Sequence, residues 1–176
     1  DVKCWSVPVD SVLEARRLFD RWGFALAPSL QLKDRPISFD KEPEFRIPGL
    51  AGTLKPFQAH AAKFLIKRQL AMLQLEMGLG KTVIALAAME ADEAFPALVV
   101  CPPSLRLNWV REIERWLPGR TVGVLRKRSD EPGDEDVIVV GYSTLDAQQR
   151  VLRAHPFACI VVDESHFAKS PDAKRT

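Results

Sequence analysis

Glu76-Met77-Gly78-Leu79-Gly80-Lys81-Thr82 is the stretch of this sequence best equipped for chemistry. Two glycines flank a leucine, and a Lys-Thr pair comes next. Glycine accepts positive φ and lets successive backbone N–H groups close around an anion. A lysine directly after such a turn supplies a mobile positive charge, and a threonine hydroxyl supplies a ligand for a hard divalent cation. The expected guest is a phosphate chain. Lys81 would reach its β- and γ-phosphates and Thr82 would ligate Mg²⁺, while Glu76, Met77, Gly78, Leu79 and Gly80 line the cradle. By itself the segment also fits a glycine-containing strand-to-helix turn with a surface lysine. The strict spacing G-x-x-x-x-G-K-S/T asks for glycine at position 75, where this chain has Leu75.

A second chemical feature is Asp163-Glu164-Ser165-His166, directly after the apolar run Phe157–Val162. Two carboxylates ending a buried strand are costly unless they meet a cation. Beside a phosphate loop that cation is Mg²⁺, held by Asp163 through its waters. Glu164 would then position or activate the water that attacks a γ-phosphate. A polar strand end facing solvent is the plain alternative. Taken with the upstream loop, the pair predicts an ATP·Mg²⁺ site.

These residues need elements to hold them. Leu70–Leu75 reads as a buried strand before the loop and Val83–Met89 as a buried helix after it. A helix opens at Pro56-Phe57-Gln58 and runs to about Gln69, with Phe57, Ala61, Phe64 and Leu65 on one face. Ala97–Cys101 is an apolar strand ended by Pro102-Pro103; Ser104 can cap a helix over Leu105–Leu117, in which Leu105, Trp109, Ile113 and Trp116 recur at helical spacing. Thr121–Leu125, Val137–Val140 and Phe157–Val162 read as further strands, and Thr144–Arg153 as a helix. Continuous apolar strands alternating with helices predict an α/β fold, a mainly parallel sheet covered on both faces. Ligands in such folds sit at the carboxyl ends of strands, where the loop and Asp163-Glu164 both lie.

Residues 1–50 look different. Val2–Val9 alternates weakly, as a strand would. Asp10 or Ser11 could cap a helix carrying Val12, Leu13, Ala15, Leu18, Phe19 and Trp22, with Gly23 as its stop; beyond it, Pro28, Pro36, Pro43 and Pro48 break the chain into loops. The expected organisation is a small α+β accessory segment with linker over 1–50, and one domain over 51–176.

A length of 176 residues suits one domain, and 47% apolar content suits a packed core. The net charge of +2 says little about partners. Charge is unevenly spread: Arg106 to Arg128 is basic and could hold nucleic-acid phosphates or simply face water, and Asp130 to Asp136 is acidic and reads as solvated surface. Three cysteines without a Cys-x-x-Cys spacing argue against a disulfide framework or zinc site and for a reducing, intracellular setting, cytoplasmic or nuclear. No apolar run has membrane-spanning length and no signal peptide is visible, so no membrane partner is expected. The first residue is Asp1 rather than Met, which points to a piece of a longer protein.

Several motifs together resemble one family, the superfamily-2 helicase-like ATPases of the Swi/Snf branch, near the annealing-helicase subgroup. Leu54-Lys55-Pro56-Phe57-Gln58 resembles its adenine-recognition motif, and Glu76–Thr82 its phosphate loop. Val99-Val100-Cys101-Pro102-Pro103-Ser104-Leu105 with Asn108-Trp109, then Gly141-Tyr142-Ser143-Thr144-Leu145, resemble the next two motifs. Asp163-Glu164-Ser165-His166 with Lys169-Ser170 resembles its metal motif. Order and spacing agree over residues 54–176; at position 75 the family usually carries Asp, so Leu75 departs from it too.

The resemblance implies a three-layer RecA-like phosphate-loop fold and the incomplete first lobe of a two-lobed motor. It implies ATP and Mg²⁺ as cofactors, Gln58 as the adenine reader, and Lys81, Asp163 and Glu164 as the catalytic groups. Double-stranded or branched DNA would be held through its phosphates, with Ser104, Asn108, Tyr142, Ser143 and Lys169 as contacts. Asn108 and Trp109 also read as structural, and His166 as a coupling residue or a structural hydrogen bond. A second lobe beyond Thr176 would supply arginines that complete the site, so this stretch alone should not be a working motor. An RNA helicase lobe and a non-catalytic nucleotide-binding scaffold are the competing readings.

Overall fold

The computed structural model describes the backbone of Lys3–Val7 and residues 46–68 and 70–164. Among these, six strands form one sheet: β1 (Lys3–Val7), β2 (Leu70–Met72), β3 (Ala97–Cys101), β4 (Val122–Leu125), β5 (Val137–Gly141) and β6 (Cys159–Asp163). Their order is β2-β1-β6-β3-β5-β4, and every neighbouring pair is parallel. Four helices accompany them: α1 (Pro56–Lys67), α2 (Lys81–Ala91), α3 (Arg106–Trp116) and α4 (Tyr142–Ala154).

β3, β5 and β6 are apolar at nearly every position because both faces are covered. Successive side chains of a strand point to opposite faces. Val99 and Cys101 of β3, Val137 and Val139 of β5, and Val161 of β6 pack with α1, α2 and α3, around Leu65, Ile84, Leu86, Met89, Trp109 and Ile113. Leu98, Val100, Ile138, Val140, Ile160 and Val162 pack on the other face with Leu145 and Leu152 of α4. The predicted three-layer α/β architecture is therefore present.

Boundaries shift for local reasons. β2 stops at Met72, although Leu73 is buried and Leu75 half-buried, because the chain already turns into the phosphate loop. The expected cap at Ser104 does not form: Pro103–Leu105 is a 3₁₀ turn, α3 starts at Arg106, and Ser104 is exposed with no capping bond. α4 begins at Tyr142, two residues before the expected start. β6 begins at Cys159 because Phe157 N–H donates to His155 O and Ala158 N–H to Pro96 O.

The accessory status expected for residues 1–50 does not extend to Lys3–Val7. That strand lies inside the sheet, pairing Cys4 with Leu70 and Ile160, Trp5 with Ala71 and Val161, and Val7 with Asp163. The helix expected near Val12–Trp22 lies outside the described residues, as do Ser165, His166, Lys169 and Ser170.

Candidate functional site

With all strands parallel, β2, β3, β5 and β6 end at one edge of the sheet. From it emerge the 73–80 loop, the Pro103–Leu105 turn, α4 and the Asp163-Glu164 pair.

The loop turns on Gly78 (φ +82°) and Gly80 (φ +78°), both left-handed. A Cβ on Gly78 would meet nothing within 4 Å, so the exposed loop borders open space there. A Cβ on Gly80 would lie 2.6 Å from Gln58 Nε2 and 3.0 Å from Val83 Cγ1. Gly80 also caps α2 without a side-chain acceptor, so the first-turn N–H groups and the positive helix end face the loop.

Leu75 is not among the described residues with left-handed φ, so its departure from glycine requires no strained backbone. Its side chain packs against the core, and its carbonyl does the polar work: Lys81 Nζ donates to Leu75 O at 2.8 Å and to Glu76 O at 3.1 Å. The ammonium is thus folded back onto the loop that it would leave for a phosphate. Thr82 is half-buried in the first turn of α2. Glu76 is exposed, Leu79 is 37% exposed, and Met77 projects into solvent at 95% exposure.

Gln58 ties the start of α1 to the loop. Its Oε1 accepts the Lys55 N–H at 3.0 Å and its Nε2 donates to Leu79 O at 3.1 Å. The residue expected to read adenine thus lies against the phosphate loop, with both amide ends paired.

Asp163 is gripped from two sides. Its Oδ2 accepts the Trp109 indole N–H at 2.8 Å, and its carbonyl accepts the Tyr142 hydroxyl at 2.6 Å. Burial pushes the Asp163 carboxyl above the usual carboxylate range; the Trp109 N–H opposes this, the Glu164 charge adds to it, and the Lys81 ammonium opposes it. Glu164, half-buried, has φ +51°, a left-handed backbone that costs a non-glycine residue about 1–2 kcal/mol. Such outliers persist where the surroundings impose them, often at working sites. Next to Asp163, burial pushes the Cys101 thiol up to about 12 and raises the Tyr142 phenol.

The expected DNA contacts divide. Ser104, Asn108 and Ser143 are exposed along this edge. Tyr142 is not a surface contact: it is 6% exposed and its hydroxyl is spent on Asp163. Helical spacing assigned Trp109 to the core, which is correct at 1% exposure, but left its N–H unaccounted for. A buried indole N–H requires an acceptor, and that requirement was the available signal.

A parallel sheet with helices on both faces, a glycine loop between β2 and α2 ending in Lys-Thr, and a half-buried acid pair ending β6 define a RecA-like phosphate-loop lobe. The chain belongs to the SNF2-related family, whose domain model matches residues 57–176. It is similar to the DNA annealing helicase and endonuclease ZRANB3 of Bos taurus, 37% identical over 147 residues that cover 77% of this chain and 14% of that protein. It is also similar to the SWI/SNF-related matrix-associated actin-dependent regulator of chromatin subfamily A-like protein 1 of Xenopus laevis, 35% identical over 132 residues, with 72% and 14% covered. Among solved structures it resembles the Sulfolobus solfataricus SWI2/SNF2 ATPase core in complex with double-stranded DNA, with a TM-score of 0.61 and 26% identity over 76% of this chain and 30% of that one. The chain therefore spans about one-seventh of the length of these curated relatives.

Proposed function

We propose that this chain is the nucleotide-binding part of a DNA-dependent ATPase, a double-stranded DNA translocase of the remodelling or annealing type. The observation that carries the proposal is the meeting of the 73–80 loop and the half-buried Asp163-Glu164 pair at one sheet edge, close enough for the Lys81 charge to act on the Asp163 carboxyl.

The residues fit ATP and Mg²⁺. Gly78 borders open space, Lys81 holds only main-chain carbonyls among the described residues, and Asp163 is a desolvated carboxylate. Thr82 and Asp163 would hold the metal, which when bound neutralises charge on the phosphate oxygens. Lys81 would exchange the Leu75 and Glu76 carbonyls for phosphate oxygens. The backbone N–H groups of Gly78, Leu79 and Gly80 and the first turn of α2 would cradle the phosphates. Gln58 would turn its amide to the adenine, and Glu164 would orient the attacking water. Ser104, Asn108 and Ser143, with Lys169, would touch DNA phosphates rather than bases, so little sequence preference is expected. The family context supports a second lobe of the same protein as the partner that completes the site. The buried cysteines Cys101 and Cys159, neither in a disulfide, support a reducing compartment.

Fluorescent ATP analogue titrated into this chain with Mg²⁺ should bind wild type and bind Lys81→Ala far more weakly. Equal affinity would favour the scaffold reading. The chain alone should show negligible DNA-stimulated hydrolysis, whereas the full-length protein should be stimulated by duplex DNA. Stimulation by RNA in preference to DNA would transfer it to the RNA helicases.

A further inference from the structure

Asp163 is held by two aromatic donors that enter from opposite faces of the sheet. Trp109, on α3, belongs to the core cluster beneath α1, α2 and α3; Tyr142, at the start of α4, belongs to the cluster on the other face. They lie 54 and 21 residues from Asp163 in the chain. Tyr142 comes directly after β5, which is not a neighbour of β6: β3 lies between them, so the phenol reaches past the end of β3 to the Asp163 carbonyl. One donor fixes the carboxylate and the other fixes the backbone that carries it.

We propose that Trp109 and Tyr142 are positioning residues that hold Asp163 in the orientation a divalent cation requires, and that they tie α3 and α4 to the metal end of the site. The proposal rests on the ATP·Mg²⁺ reading above. An indole N–H is donor-only and cannot itself ligate a cation, whereas a carboxylate offers about four lone-pair positions, so the Trp109 bond restrains the rotamer and leaves capacity for the metal. Outer groups that orient metal-binding carboxylates in this way govern metal affinity. The link also has a direction. Trp109 is the inner-face neighbour of Asn108 and Leu107, which are exposed, Leu107 at 55%. A displacement of α3 from its outer surface would therefore move the N–H that sets the Asp163 rotamer. The exposed face proposed to meet DNA and the N–H that holds the metal carboxylate lie on two sides of one helix.

The test uses the full-length protein, Mn²⁺ as the divalent probe and ADP as the nucleotide. Trp109→Phe and Tyr142→Phe each remove the donor and keep an aromatic ring. Mn²⁺ binding in the presence of ADP, read by electron paramagnetic resonance, should weaken about tenfold in Trp109→Phe and in the same direction in Tyr142→Phe. ADP affinity without divalent cation should be unchanged, a pattern that general loosening of the fold would not produce. In an Asp163→Ala background the Trp109→Phe effect should vanish. Wild-type Mn²⁺ affinity in both variants would overturn the clamp. Absence of any Asp163-dependent Mn²⁺ binding in the wild type would instead overturn the ATP·Mg²⁺ reading beneath it. Should Trp109→Phe fail to fold, the ¹⁵N-indole resonance of Trp109 in the unaltered protein decides. It should shift when Mg²⁺ joins ADP and not with ADP alone, and a resonance indifferent to Mg²⁺ overturns the proposal.

Discussion

Alanine at Gly80 should destabilise the nucleotide-free protein more than alanine at Gly78, although both glycines have nearly the same φ (+78° and +82°). The shared cost is left-handed backbone, about 1–2 kcal/mol for a residue with a Cβ. Alanine recovers about 0.4–1 kcal/mol of that by restricting the unfolded chain, which leaves a net near 1 kcal/mol for Gly78→Ala. At Gly80 the new Cβ stands 2.6 Å from Gln58 Nε2. The amide is the far end of a flexible side chain, so it can swing away; the cost is the bonds it leaves, to Leu79 O and from the Lys55 N–H. These bonds are exposed, so roughly 0.5 kcal/mol each is appropriate, the low end for a net hydrogen bond. Crowding of Val83 Cγ1 at 3.0 Å adds to them. Gly80→Ala should therefore lose about 2–3 kcal/mol, a fall of about 1–1.5 M in urea midpoint for an m-value of about 2 kcal/mol/M. Urea denaturation without nucleotide measures both variants. In a Gln58→Ala background the gap between them should shrink to the Val83 contribution. Equal midpoints for the two glycine variants, or a gap indifferent to Gln58, would refute the reasoning.

Three further outcomes are expected from other parts of the molecule. Arg120 bonds Glu90 at 2.8 and 3.2 Å, reaches Asp136 at 3.4 Å and lies 4.0 Å over the Phe95 ring; Arg120→Ala should cost about 2 kcal/mol in urea denaturation, and a loss below about 0.5 kcal/mol would mean the cluster is ornamental. At Asp136, burial opposes ionisation, but the Thr121 N–H and hydroxyl and the Arg120 charge outweigh it and hold the carboxyl below its ordinary 3.8. Its stabilisation is complete above the unfolded value and disappears as pH falls through the lower folded one, so Asp136→Asn should flatten the loss of thermal midpoint below about pH 4; an unchanged acid limb would contradict this. Cys101, buried with its thiol pushed up to about 12, should resist iodoacetamide at about pH 8 in a Cys4→Ser background until urea unfolds the chain, and prompt labelling of the native protein would count against its burial.

Much of the fold was legible because its signals are local. Apolar runs of strand length, helical spacing in Leu105, Trp109, Ile113 and Trp116, and Gly78-Leu79-Gly80-Lys81-Thr82 depend on periodicity and turn chemistry within a few residues. β3 appeared with its predicted boundaries, and the phosphate loop stands between a strand and a helix as its composition requires. The family was readable from the order of such segments along the chain.

What local pattern could not decide was where distant segments meet. Leu75 looked like a fault in the loop; in three dimensions its carbonyl holds Lys81 while its side chain joins the core, and no glycine conformation is needed. Tyr142 was expected to touch DNA because its motif resembles one of the family's, yet a helix starting at Tyr142 turns the ring inward to the Asp163 carbonyl. Lys3–Val7 looked separate because no periodicity reports sheet order, and only the pairing registers place it between β2 and β6. The sequence by itself determined the chemical groups and the elements that present them, since turns, caps and amphipathic spacing act over one or two turns of chain. Tertiary structure alone decided which groups share a bond: the Trp109–Asp163 contact joins residues 54 positions apart, and closure over that distance comes from packing of the whole sheet rather than from either segment's own preference.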